Sequence, residues 1–331
     1  MSKKNRSIRV LVAGAGGFIG GHLVKYLHSL GFEQIRAVDI KPLSEWYQLD
    51  EQAENLQLDL SELANCRQAT QDIDEVYNLA ADMGGMGYIE KHKALCMLNV
   101  LINTHLLLAA RDNQVKRFFY ASSACVYNID RQQSPDIQGL KENDAYPANP
   151  EDGYGWEKLF AERMCRHFSE DFGLETRVAR FHNVYGPHGE YQGGREKAPA
   201  ALIRKVLEAQ KDSRKTIEIW GDGLQSRTFM YIDDCVKGIE LIMHHEIKEP
   251  VNLGTSELVT INQLVGLIED IAGVKLQRKY NLSAPKGVRG RSSDNTLLRQ
   301  HLNWEPQTPL REGLRATYHW IASQMKSGVK T

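Results

Sequence analysis

Ser123, Tyr154 and Lys158 are the side chains of this sequence whose types and spacing suit chemistry best. The serine lies in RFFYASSACVY, and the tyrosine and lysine stand four residues apart in YGWEK. A hydroxyl, a phenol and an ammonium together can move a proton off a sugar alcohol. In such a centre the lysine lowers the phenol's pKa, and the phenolate takes the alcohol proton as hydride leaves carbon for a nicotinamide. Cys125 follows two positions after Ser123, where plain redox chemistry needs no further acid or base. A thiol there points to a second proton transfer. Its alternative is a small buried residue at a strand end, since free cysteine is often buried.

The elements that must position these groups alternate along the chain. Ile8 to Gly14, Ile35 to Ile40, Glu75 to Ala81, Arg117 to Ser122 and Thr176 to Phe181 read as strands, with helical patterns such as Gly20 to Gly31 and Leu98 to Asn113 between them. This order predicts an α/β fold, a Rossmann-type doubly wound parallel sheet with a smaller C-terminal substrate-binding lobe. Residues 7–185, with 229–254 returning to them, form the expected dinucleotide-binding domain, and 186–228 with 255–325 the lobe. Gly186 to Pro199 reads as a loop.

Gly14, Gly17 and Gly20 fit G-x-x-G-x-x-G between a strand and a helix, where backbone must come close to a pyrophosphate. Asp39 ends the second strand, placed to accept hydrogen bonds from an adenosine ribose and to repel a 2′-phosphate. NAD is therefore expected over NADP. Asp59 falls where such folds touch the adenine, with a helix N-cap as the equal alternative.

The chain has 331 residues and a formal net charge of −1, so nothing global favours nucleic acid or an anionic membrane. Its five cysteines form no C-x-x-C pair, which fits free thiols in a reducing compartment and neither a disulfide framework nor a zinc site. The scattered histidines make no metal-binding group. No apolar run approaches the roughly 18 residues of a membrane helix, and the basic start lacks a signal peptide's apolar middle. A cytoplasmic protein is expected.

With these motifs in order, the chain resembles the extended short-chain dehydrogenase/reductase family of nucleotide-sugar enzymes from about Arg9 to Ile321. The most specific pieces are NLAADMGGMG (Asn78 to Gly87), RFFYASSAC (Arg117 to Cys125), RFHNVYGP (Arg180 to Pro187), GGREKAPAA (Gly193 to Ala201), WGDGLQSR (Trp220 to Arg227) and GVRGRSSDN (Gly287 to Asn295). The resemblance implies hydride chemistry at Ser123, Tyr154 and Lys158 and acid/base work on a sugar ring by Cys125 and Lys197. It implies cofactor contacts from Phe18, Ile19, Leu60 and Ala80 besides the glycines, Asp39, Asp59, Tyr154 and Lys158. Gly84, Asn183, Glu196, Ala198, Lys205, Gln225, Arg227 and Arg291 are placed by it, with Ser123, Cys125 and Lys197, around a nucleotide sugar, a GDP-hexose. It further implies a homodimer paired through helices near Leu95 to Asp112 and Tyr154 to Phe172.

The chemistry so implied is an epimerisation. Oxidation at carbon 4 makes the hydrogens on carbons 3 and 5 acidic, and inversion then needs one group to remove a proton and another to return it on the opposite face. A 4-epimerase needs the Ser, Tyr and Lys but no second pair. A 4,6-dehydratase is expected to carry Asp-Glu where this chain has Ala124 and Cys125. An NAD-binding regulatory protein would typically lose the Tyr and Lys. Met83 and Met86 are expected in the pocket wall, and His182 and His188 as packing behind it.

Overall fold

The computed structural model describes residues 7–327. Seven parallel strands form the central sheet: β1 (Arg9–Ala13), β2 (Gln34–Asp39), β3 (Glu54–Gln57), β4 (Glu75–Asn78), β5 (Arg117–Ser123), β6 (Glu175–Phe181) and a last strand, Val251–Leu253. Their spatial order is Val251–Leu253, β6, β5, β4, β1, β2, β3. The chain thus winds outward from β1 to β3, returns, and winds the other way from β4. The connections leaving β1 and β4 diverge, which opens a crevice at the carboxyl ends of those two strands.

The alternation of side chains along β1 shows how one strand serves both faces. Val10 and Val12 pack into one apolar layer, Leu11 and Ala13 into the other. The first layer takes helix α1 (Phe18–Ser29), and the second takes α2 (Leu63–Thr70). Beyond α2 come two short helices, α3 (Met86–Ile89) and α4 (Lys93–Met97), then α5 (Asn99–Asp112) and α6 (Tyr154–Phe172), which join α2 on its face. Each fully buried Val or Leu in these layers contributes roughly 1.5–3 kcal/mol. Gly173, in the left-handed region at φ 73°, ends α6.

Outside the sheet, α7 (Ala198–Lys211), α9 (Ile261–Ala272) and α11 (Leu310–Ser327) share a separate apolar cluster; α8 (Ile232–Met243) packs on α1, and α10 (Thr296–Leu302) on the last sheet strand. Thr260 and Gln263 cap α9 reciprocally. Three small sheets accompany these helices, one of them pairing Val184–Tyr185 with Met230–Tyr231. Thr216–Trp220 pairs with Gln277–Asn281, and Ser226–Thr228 lies between Leu258–Thr260 and Gly290–Arg291.

Four expectations need correction. β4 stops at Asn78, three residues early, because Leu79 to Ala81 turn out along the crevice. The edge strand β3 was not foreseen, since ENLQ carries no apolar alternation. Pro199 belongs to α7 and not to the loop before it: proline is tolerated in a helix's first turn, where its missing N–H has no partner to lose. Finally, Lys93–Asp112 is by length and composition apolar enough to cross a membrane. Here it packs on α2 and α6 instead, and its Asn99 and Asn103 are buried among polar partners, Asp82 and Asn78.

Candidate active site

The crevice is a cavity of about 690 Å³ at the carboxyl ends of the sheet strands. The turn after β1 forms one end. Gly14 has φ +85°, a conformation suited to glycine, and a Cβ on Gly20 would lie 2.1 Å from the Gly14 carbonyl oxygen. Bare backbone and the first turn of α1 therefore face the cavity together. At the end of β2 the Asp39 carboxylate accepts from Gly16 N–H and Lys41 N–H, both at 3.0 Å. Those bonds aim the carboxylate into the cavity, and its two oxygens have capacity for further donors. All the cofactor residues expected from the sequence (Gly14, Gly17, Phe18, Ile19, Gly20, Asp39, Asp59, Leu60, Ala80, Tyr154 and Lys158) line this one space. Asp59 also accepts from Ser61 N–H at 2.8 Å, in the turn before α2; the N-cap of that helix is Glu62, so the capping alternative is not met.

Ser123, Tyr154, Lys158 and Lys197 line the same cavity, as do Gly84 and Met83. Ser123 ends β5, and Tyr154 and Lys158 stand one turn apart at the start of α6. Lys158 Nζ donates to the Ala121 carbonyl at 3.2 Å and lies 5.5 Å from the Tyr154 ring centre. Here the expected lowering of the phenol's pKa is not found. Burial, reinforced by Cys125 and Glu157, pushes Tyr154 well above its ordinary value, and the Ser123 hydroxyl only partly offsets this.

Cys125 does not line the cavity but sits directly behind it, 8% exposed, packed with Tyr154, Ile89, Met83 and Tyr88. Burial and the Glu151 charge push its thiol up to about 11 despite Arg291. Lys197, the N-cap of α7, is shifted the other way: burial lowers its amine. A thiol shifted toward its protonated form and an amine shifted toward its neutral form are thus held close to the Ser–Tyr–Lys centre.

The other expected substrate residues divide into two sets. Arg227 and Arg291 are register partners on adjacent short strands, and Arg291 reaches Cys125, with Nη1 3.5 Å from the sulfur. Burial, then the charge of Arg291, lowers Arg227 to about 10. Gln225 is buried and donates to the Trp220 carbonyl, while its Oε1 has no partner. Asn183, at φ 31°, donates to the Thr228 carbonyl. The second set is turned elsewhere. The Glu196 carboxylate is taken by Arg204 and Gly194 N–H, Lys205 reaches the Glu218 carbonyl beside the Trp220 ring, and Ala198 opens α7. Met86 packs on Gly287 and is not in the cavity wall. His182 is fully buried against Asn252, and burial drops it to about 3; His188 lines the cavity.

Sequence reasoning missed the residues that tie the site's parts together. Arg195 stacks on Tyr88, 3.9 Å from the ring centre, and pairs with Asp82, fastening the Lys197 loop to the loop after β4. Glu151 pairs with Arg291 at 3.1 Å. Arg195 and Asp82, each inside a quoted motif, carried a signal; Tyr88 and Glu151 did not.

Comparison with known proteins now bears on this geometry. Residues 10–254 match the model of the NAD dependent epimerase/dehydratase family. The chain belongs to that family. Among curated relatives, GDP-mannose 3,5-epimerase 1 of Oryza sativa subsp. indica is 44% identical over 329 residues, 97% of this chain and 84% of the relative. GDP-mannose 3,5-epimerase of Arabidopsis thaliana is 42% identical over the same shares. Among solved structures, a UDP-glucose 4-epimerase with UDP-glucose from Thermotoga maritima superposes with a TM-score of 0.86 at 25% identity, covering 96% of this chain and 100% of that one. A UDP-glucuronic acid 4-epimerase from Bacillus cereus, in complex with UDP-glucuronic acid and NAD, gives 0.82 at 26% identity with the same coverage. This member of the family is an NAD-dependent nucleotide-sugar epimerase. The glycine turn and the Asp39 carboxylate fit NAD: the turn has no room for side chains, and the carboxylate is where a ribose would need an acceptor.

Proposed function

We propose that this chain is a GDP-mannose 3,5-epimerase, inverting carbons 3 and 5 of the sugar. The carrying observation is the Cys125 thiol packed against Tyr154 and the Lys197 amine lining the cavity with Ser123, Tyr154 and Lys158, burial raising the one and lowering the other. A 4-epimerase has no use for that second pair. The 42–44% identity to enzymes of that name supports the choice of sugar and nucleotide.

When bound, NAD supplies the hydride acceptor at carbon 4 and gives the hydride back. Tyr154 would act as its phenolate, a form that the Lys158 ammonium and the positive charge of a bound oxidised nicotinamide favour against burial; it would take the carbon-4 hydroxyl proton, with the Ser123 hydroxyl hydrogen-bonding beside it. With carbon 4 a ketone, Lys197 removes a proton from the neighbouring carbon. Cys125 delivers one from the opposite face, leaving a thiolate and an ammonium that exchange with solvent. Arg227 and Arg291 suit a diphosphate, and residues 186–228 and 255–325 form the substrate-binding lobe. In deuterium oxide, product is expected to carry deuterium at carbons 3 and 5 and none at carbon 4, read by NMR. Cys125→Ala and Lys197→Ala are each expected to stop inversion nearly completely. Normal labelling in Cys125→Ala would leave a 4-epimerase as the better reading.

We place the protein in the cytoplasm, on its five free thiols. We also infer a homodimer. Leu95, Leu98, Leu101, Trp156 and Phe160 stand exposed on α4 to α6, an apolar surface that a second copy would cover. Light scattering at micromolar concentration tests it, and a monomer refutes it.

A further inference from the structure

Glu151 is a neighbour of the Cys125 thiol that the proposed mechanism does not use. Its backbone N–H donates to the Cys125 carbonyl at 3.1 Å. The approach is possible because the next turn carries Gly155, where a Cβ would meet that same carbonyl oxygen at 2.4 Å. Arg291 arrives from the other part of the molecule, steered by Gln132, which accepts from its Nε at 2.7 Å. One end of its guanidinium meets the Cys125 sulfur at 3.5 Å, and the other lies 3.1 Å from Glu151 Oε2. Arg291 and Cys125 are buried, to 5% and 8% exposure, and the Glu151 side chain is 12% exposed.

The sulfur is faced by Ser123 from its own strand end, Tyr154 from α6, Lys197 from the start of α7, and Arg227 and Arg291 from the small sheet. Glu151 is the one carboxylate in this group. Without it, a buried thiol beside two arginines would be drawn toward its thiolate. A thiolate cannot donate a proton.

We propose that Glu151 is a positioning residue for Cys125: by neutralising and orienting Arg291 beside the sulfur, it keeps Cys125 a thiol with a proton to deliver. This rests on the epimerase reading above. Burial opposes the charge of Glu151, but Arg291 and the Cys125 hydrogen bond outweigh it, and its carboxyl stays below the ordinary value. The carboxyl is therefore shifted toward its charged form, as the role requires.

The test is a titration of the ultraviolet thiolate absorbance, with Cys125→Ala as the blank, in the NAD-containing protein. In the wild type the Cys125 midpoint is expected near 11. A wild-type midpoint at or below the ordinary thiol value of about 8.5 overturns the proposal with no variant needed. Glu151→Gln is expected to lower the midpoint by about one pH unit or more. The alkaline limb of its kcat profile is expected to move down in step, with KM unchanged. Glu151→Asp keeps the charge and is expected to hold both near wild type. An unmoved midpoint in Glu151→Gln overturns the proposal, and so does an equal fall in Glu151→Asp, which would assign the effect to packing. Failure of the epimerase reading shows separately, as normal inversion by Cys125→Ala; the titration still reports whether Glu151 governs the thiol.

Discussion

The two ends of the central sheet both bury charge, and they treat it differently. At the amino ends, Glu75, Arg117 and Glu175 are neighbours in register on β4, β5 and β6. Arg117 bridges the two carboxylates at 3.0 and 3.1 Å, and His244 closes on Glu75 at 3.2 Å. Every member finds an opposite charge, and His244 is raised to about 9 by Glu240 and Glu75 despite its burial. At the carboxyl ends, Tyr154 and Cys125 are pushed up and Lys197 is pulled down, each mainly by burial. Paired charge holds the sheet together. Burial displaces the pKa values of neighbouring groups here with no ion pair to explain it, and that sets a candidate site apart from scaffolding.

The comparison breaks first, if anywhere, at Tyr154. Tyr154→Phe removes one oxygen from a ring that otherwise still packs. Turnover is expected to fall by roughly 100- to 10,000-fold, as for loss of a general base, with substrate affinity nearly unchanged. Turnover close to wild type would exclude Tyr154 as the base. Nothing comparable should happen to activity at the paired end, where the effect is on stability. The folded-state pKa of His244 lies above its unfolded value, so its contribution is full below pH 6.5 and is lost as pH rises through about 9. The pH-dependent part is up to about 3 kcal/mol. Urea unfolding across that window is expected to show wild type losing stability that His244→Gln never had; parallel curves would remove the ion pair from the account. The smallest effect is expected where charge is met by backbone alone. Asp39→Ala should weaken NAD binding by roughly 1–3 kcal/mol, read by calorimetry. Unchanged affinity would take Asp39 out of the cofactor site.

The cofactor half was legible in the sequence because its contacts are local. Gly14, Gly17 and Gly20 run from the end of β1 into the first turn of α1, and Asp39 ends the next strand. The substrate half was only partly legible. Glu196 and Lys205 were named with the site, yet their side chains are bonded to Arg204 and to the Glu218 carbonyl, because α7 turns that face toward its own loop and strand. Lys158 was expected to ease the phenol's ionisation, an effect that depends on where one flexible ammonium points.

The alternation of apolar strands and helices, the glycine turn with its carboxylate, and the order Ser123, Tyr154, Lys158 were determined by the sequence alone. Each depends on backbone periodicity or on residues held by one element, and neighbouring residues impose those rules. The pairing of Glu151 with Arg291, the reach of Arg291 to a cysteine 166 positions away, and the clamp of Arg195 on Asp82 were decided only by the tertiary structure. Such charges meet when the small sheets and α7 close over the ends of the strands, and no local pattern records which guanidinium will then lie beside which sulfur.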